Sequence, residues 1–214
     1  MTNADLVEMV RRRSPNYLDP KPRSSRVLKA MLRVDRALFL PPESRSHAYY
    51  DEPLPIGYGQ TCSEPSMVAF MLDKLSLAPE QRVLEVGTGC GYAAAVAALL
   101  VQPLGMVYSV EILPELYDLA RRNLAPLGDH IQLFCQDGTR GLPEYASFDR
   151  IILSAGVPRN FDPHVFLTQL SETGILIYPE VRGSLYRIIK AGHQQITETY
   201  FGVAFVPLIT KRQI

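Results

Sequence analysis

Residues 82–101 read RVLEVGTGCGYAAAVAALLV, an apolar run interrupted at three glycines spaced G-x-G-x-G (Gly87, Gly89, Gly91). Its first residues suit a strand buried on both faces, and its alanine-rich end suits a buried helix. Passing at once from one to the other needs a tight turn, which glycine permits. A strand covered on both faces also demands further strands and helices around it. The alternation recurs downstream: MVYSVEI (106–112), a helix from Pro114 to Leu124, HIQLFCQD (130–137), FDRIILSAG (148–156) and a helix over 162–171. GILIYPEV (174–181), LYRIIKA (185–191) and FGVAFVPLI (201–209) bring the expected total to seven strands, the last two antiparallel at an edge. Such alternation implies a doubly wound α/β fold, with a mainly parallel sheet and right-handed crossovers.

Upstream the pattern is different. Residues 4–13 have helical spacing, with acidic residues early and three arginines late, as the helix dipole favours. The proline-rich stretch 14–25 reads as a loop, and 24–36 as a helix with Val27, Leu28, Met31, Leu32 and Val34 on its apolar face. Residues 41–65 hold five of the 17 prolines and are irregular, longer than a connector needs to be. A helix over 65–77 opens at Pro65. One domain over 1–214 is expected, with 1–80 giving N-terminal helices and an active loop, and 81–214 the doubly wound core.

Composition narrows the function. Twenty-two basic and 22 acidic residues cancel, leaving no bulk field for nucleic acid or an anionic membrane. Cys62, Cys90 and Cys135 are odd in number and form no C-x-x-C, so neither a disulfide framework nor a structural metal is expected. His47, His130, His164 and His193 are scattered, and no metal is expected at them either. The N-terminus lacks the apolar core of a signal peptide, and 93–101 is too short to span a bilayer. The expectation is a cytoplasmic monomer without nucleic-acid or membrane partners.

In a doubly wound sheet the ligand lies beyond the carboxyl ends of the strands. Tyr92 stands where G-x-G-x-x-G would continue, which counts against a nicotinamide-dependent oxidoreductase. Glu111 ends the second strand about 20 residues beyond the glycines, where a carboxylate can accept both hydroxyls of a ribose. Asp137 and Gly138 follow the third strand, placed to take an adenine amino group and to let its ring lie on backbone. Singly, each carboxylate reads equally well as a solvated strand end. Together, three strand ends in register point to a nucleoside site. Glu85, inside the first strand, must be hydrogen-bonded or face a cation. It is either a partner for a ligand ammonium or a structural bond to the N-terminal segment.

PLPIGYGQTCSEP, RVLEVGTGCGY, FDRIILSAGVP and FVPL, with LVEMVRRR and VLKAMLRVDRALFLP, resemble the protein-L-isoaspartate (D-aspartate) O-methyltransferase family over nearly the whole chain. The G-Q-T-x-S-x-P loop is far more specific than the glycine turn. The resemblance implies a Rossmann-like S-adenosylmethionine methyltransferase fold with an N-terminal helical extension. It further implies methyl transfer to the carboxylate of L-isoaspartyl residues in damaged proteins or peptides, with S-adenosylhomocysteine as product. On this likeness the family's catalytic serine falls on Ser63, and Gln60, Thr61 and Cys62 wall the transfer centre. Gly87, Gly89, Glu111, Asp137 and Gly138 fall on the family's cofactor contacts. Glu85, Thr88, Gly91 and Ile112 are further candidate cofactor contacts, and Ile56, Tyr58, Val181 and Thr210 candidate acceptor contacts. The chain departs from the family at Cys62, normally aliphatic, at about eight extra residues near 14–22, at Ile209, which delays Thr210 by one place, and at PEVRG (179–183).

The chemistry suits these residues. A sulfonium methyl is already activated, and a carboxylate is already ionised at neutral pH, so no general base is needed. What remains is in-line positioning and removal of water. Ser63 can hold the acceptor oxygen, or N-cap the helix at Pro65. No sequence neighbour would activate the Cys62 thiol, so it reads as a packed small side chain, as does Cys90. Two further readings are a carboxyl methyltransferase for another peptide or small molecule, and a binding module without catalysis. The second would be marked by a broken glycine turn or a missing serine, and both features are intact.

Overall fold

The computed structural model describes residues 1–13, 22–192 and 194–211. Two helices, α1 (Asn3–Arg13) and α2 (Pro22–Arg33), open the chain and bury Leu6, Val7 and Val10 against Val27, Leu28 and Met31. Helix α2 ends earlier than the apolar spacing suggests. Asp35 caps a following 3-10 turn, Arg36–Phe39, by accepting from the Ala37 N–H at 3.0 Å. Leu32, placed on the apolar face by spacing, is exposed instead. Residues 14–21 of the expected loop, where most of this chain's extra residues relative to the family fall, and His193 lie outside the described residues.

The proline-rich stretch is more regular than its composition suggests. After a 3-10 turn at Pro42–His47 it forms a hairpin, β1 (Leu54–Gly57) against β2 (Gln60–Cys62). Helix α3 (Pro65–Leu75) then starts at its expected proline.

The core follows as β3 (Arg82–Val86), α4 (Tyr92–Val101), β4 (Met106–Glu111), α5 (Pro114–Leu124), β5 (Ile131–Cys135) and β6 (Phe148–Leu153). It closes with α6 (His164–Leu167), β7 (Leu170–Pro179), β8 (Arg182–Ala191) and β9 (Gln194–Ala204). The seven strands order as β5-β4-β3-β6-β7-β8-β9. Strands β5 to β7 are parallel, and β8 and β9 each join antiparallel. This is the doubly wound, mainly parallel sheet expected. Alternation along β3 sends Val83 into one apolar layer with α1 to α4, and Leu84 into the other with Phe166. The winding reverses between β3 and β6, so the crevice for a ligand opens above those two strands.

Two elements differ from expectation. The helix over 162–171 shrinks to α6 because Leu170 is already paired with Phe148 in the sheet. The last strand is displaced toward the N-terminus: β9 pairs with β8 over 194–204, and FVPL leaves the sheet. Pro207 then bridges Gly156, whose N–H donates to the Val206 carbonyl at 2.8 Å. That detour folds 205–209 over the end of β6. No described helix is long and apolar enough to cross a membrane.

Candidate active site

The turn after β3 is held open by backbone geometry. Gly89, at φ +56°, aims its N–H at Glu111 Oε2, 2.8 Å away. Glu111 Oε1 accepts from the Ile112 and Leu113 N–H groups at 2.9 and 3.0 Å. Burial pushes this carboxyl above its ordinary pKa, and the three backbone donors pull against that rise. Glu111 lines a cleft walled also by Gln60, Gly87, Ile112 and Gly138. Gly138 is required by packing: a Cβ there would sit 2.7 Å from Val86 Cγ1.

Asp137 stands behind that wall. Its Oδ1 accepts from the Thr139 N–H and hydroxyl at 2.8 and 2.6 Å, and its Oδ2 from the Lys211 N–H at 2.9 Å. Partial burial opposes ionisation, but these bonds outweigh it and lower the pKa. Asp137 thus ties the end of β5 to the C-terminal segment.

A second cavity shares Thr61, Gly87, Gly89 and Ser154 with the first. Glu85 lies on its wall and is 2% exposed. The register pairs Glu85 with Ser109 on β4, whose hydroxyl donates to Oε2 at 2.6 Å, and Ser154 donates to Oε1 at 3.2 Å. Neither partner is in the N-terminal segment, so that structural alternative is replaced by hydroxyls from the flanking strands. Desolvation dominates, and the Glu85 pKa rises to about 7 despite both bonds. Thr88, hydrogen-bonded to Ser109 at 2.6 Å, completes the chain.

Ser63 decides what this cavity connects to. It lines the second cavity and also a wider, open groove walled by Phe70, Val181 and Phe205. The N-cap of α3 is Glu64, without a side-chain cap bond; the N–H of Ser66 in the first turn is met by Asp51 at 2.8 Å. Capping therefore does not occupy Ser63, and among the described residues nothing hydrogen-bonds its hydroxyl. Thr61 and Phe205 share both walls with it.

A family model for protein-L-isoaspartate (D-aspartate) O-methyltransferase matches residues 8–213. The chain belongs to that family. A protein-L-isoaspartate O-methyltransferase of Methanocella arvoryzae is 48% identical over 184 residues, covering 85% of this chain and 97% of the relative. One from Methanothrix thermoacetophila is 45% identical over 215 residues, covering 99% and 96%. Among solved structures, a Plasmodium falciparum protein described as a member of the family, in complex with S-adenosyl-L-homocysteine, superposes with a TM-score of 0.84. It is 26% identical, over 98% of this chain and 99% of that one. Another protein-L-isoaspartate O-methyltransferase has a TM-score of 0.80 at 28% identity; this chain covers 65% of its length with 96% of its own.

Within this family member the acceptor positions divide. Val181 lines the groove beside Ser63. Ile56 is buried and packs on the glycine turn, its Cδ1 3.3 Å from where a Gly89 Cβ would stand. Tyr58 is exposed at the hairpin tip, and neither Tyr58 nor Thr210 lines any of the three cavities. Gly91 begins α4 and lines none of them either. Cys62 and Cys90 are both buried on the second cavity. A hydrogen bond from Cys90 lowers the Cys62 thiol pKa against the effect of burial, and the Arg36 charge adds to the fall. Cys62 is packed in the core as expected, and the structure adds Cys90 and Arg36 as neighbours that its sequence surroundings do not show. Sequence reasoning also missed Ser109, Ser154 and Arg36. A serine inside the apolar MVYSVEI was the available sign for Ser109; Arg36 left none.

Proposed function

We propose that this chain transfers the methyl group of S-adenosylmethionine to the carboxylate of L-isoaspartyl residues in damaged proteins and peptides. The place of Ser63 carries this reading: an unbonded hydroxyl on the wall common to the cofactor cavity and the groove. The cofactor, when bound, supplies a methyl group already activated by its sulfonium. Glu111 offers its remaining lone pairs to the ribose hydroxyls, while Gly87, Gly89 and Gly138 allow the nucleoside to lie against backbone. Gln60, Thr61 and Ile112 wall the same cleft. Glu85, Thr88 and Cys62 wall the cavity for the methionyl end, where the Glu85 carboxylate complements an ammonium. Asp137 acts on the site through Thr139, Gly138 and the C-terminal segment. Ser63 donates to one oxygen of the incoming carboxylate and holds it in line. No proton has to be removed, and Thr61 and Phe205, which line both spaces, flank the junction where water must be kept from two opposite charges.

The reading includes a monomer working as one folded unit in the cytoplasm, where its three free cysteines stay reduced. Sizing chromatography checks the first point. The activity is tested with a labelled methyl donor and two peptides that differ only in an isoaspartyl or a normal aspartyl linkage. Label is expected on the isoaspartyl peptide alone. Absent or equal labelling overturns the assignment and favours another carboxyl acceptor, which the PEVRG wall around buried Glu180 would shape.

A further inference from the structure

Arg36 is completely buried, at 0% exposure, and has no acidic partner within ion-pair distance among the described residues. Its charge is met by backbone carbonyls instead. Nη1 donates to Ala48 O at 3.1 Å and Tyr50 O at 3.0 Å. Nη2 donates to Glu52 O at 2.9 Å, Ser63 O at 3.1 Å and, more weakly, Cys62 O at 3.4 Å. Among the described residues the buried Nε has no acceptor. A buried cation solvated only by carbonyl dipoles is costly, and apolar side chains would pack the same space at less cost.

The carbonyls it gathers share one property. All five belong to the stretch 48–63, three from its approach and two from its end at Cys62 and Ser63. The guanidinium thus joins both ends of the hairpin loop from beneath. Five donors in a rigid plane fix several carbonyls at once, which a lysine ammonium does less well. Among the described residues the Ser63 hydroxyl has no bond of its own to hold it, so the backbone under it has to set its place. Asp35 anchors the base of the arrangement: it caps the turn bearing Arg36 and accepts from the Tyr49 hydroxyl at 3.0 Å.

We infer that Arg36 is a positioning residue for methyl transfer, its guanidinium fixing the backbone from which Ser63 presents its hydroxyl between cofactor cavity and groove. The inference rests on the methyl-transfer reading above. It makes Arg36 act through Ser63, and that distinguishes it from a residue that only stabilises the fold.

The test is a double-mutant cycle with Arg36→Met, Arg36→Lys and Ser63→Ala, measuring kcat and KM on an isoaspartyl peptide and calorimetric affinity for S-adenosylhomocysteine. Arg36→Met is expected to lower kcat at least tenfold with less than a threefold change in that affinity. Arg36→Lys is expected to recover part of the loss. Ser63→Ala added to Arg36→Met should cost little more than the worse single change. Losses that multiply, or an unchanged kcat, would overturn the role. Should Arg36→Met not fold, the same cycle is run with Arg36→Lys and judged by the same rule. Should the native protein methylate no isoaspartyl peptide, the activity assignment fails separately. Amide exchange at 60–63 with S-adenosylhomocysteine present then decides: faster exchange in Arg36→Lys supports the anchoring, and unchanged exchange overturns it.

Discussion

Glu85 Oε2 accepts the Ser109 hydroxyl at 2.6 Å across the β3–β4 register. The pair places a carboxylate of pKa about 7, raised from 4.5 chiefly by burial, on the wall of the second cavity. Between those two values the folded protein keeps a proton that the unfolded chain has released. Glu85 therefore costs nothing at low pH and destabilises the fold as pH rises through that window. The shift corresponds to about 3 kcal/mol at full ionisation. In urea titrations at pH 5 and pH 8, Glu85→Gln is expected to lose less stability over the interval than the native protein, by up to that amount. Parallel pH dependence in the two proteins would show that Glu85 titrates normally.

The unbonded hydroxyl of Ser63 makes a second expectation sharp. Because it holds no helix cap and, among the described residues, bonds no neighbour, Ser63→Ala should leave folding and the S-adenosylhomocysteine affinity nearly unchanged. Losing one hydrogen bond to a charged acceptor costs about 1.5–3 kcal/mol, or roughly a ten- to hundredfold fall in kcat. Steady-state kinetics on an isoaspartyl peptide, with calorimetry on the same protein, checks both halves. Native turnover in the alanine variant would remove Ser63 from the chemistry.

What could be read from sequence depended on the range of the interaction. Helix α5 runs over Pro114–Leu124 as expected, because its start and its apolar spacing are local signals. The ends of β3 and β4 were legible for the same reason, and with them Gly89 and Glu111. Strand β9 was misplaced because QQITETY is an exposed edge that carries no apolar pattern. Its true partner is β8, and pairing is not a property of one segment. Glu85 was visibly in need of a partner, but choosing Ser109 and Ser154 required the register. Arg36 was invisible because its acceptors are backbone carbonyls, which every residue has. Cys62 and Cys90 meet only once the hairpin lies on the glycine turn.

Asp137 was expected to touch the adenine directly, and its bonds to Thr139 and Lys211 suggest action through the wall it supports. Asp137→Ala is expected to weaken S-adenosylhomocysteine binding indirectly, by loosening Gly138 and the C-terminal segment, and so by less than the roughly 1.5–3 kcal/mol of a lost charged contact. It should also quicken proteolysis beyond residue 205, since the tether to the Lys211 N–H is gone. Calorimetry and limited proteolysis test the two together. Unchanged affinity would take Asp137 out of the site, whatever happens to the C-terminal segment.

Cys62 offers a readout that requires no turnover. Its thiol is lowered by the bond from Cys90 and by the Arg36 charge, whereas burial and the nearby Glu111, Asp118 and Glu115 raise Cys135. The thiolate is the nucleophile, so the two cysteines should separate by pH although Cys135 is the exposed one. With iodoacetamide and peptide mass spectrometry, Cys62 is expected to be alkylated at lower pH than Cys135, reached through the second cavity that it lines. S-adenosylhomocysteine should protect Cys62 and leave Cys135 unaffected. Removing the charge with Arg36→Met should move the Cys62 profile upward by a measurable fraction of a unit. If the ligand shields neither cysteine, the methionyl end does not occupy that cavity, and the path from cofactor to Ser63 must run elsewhere.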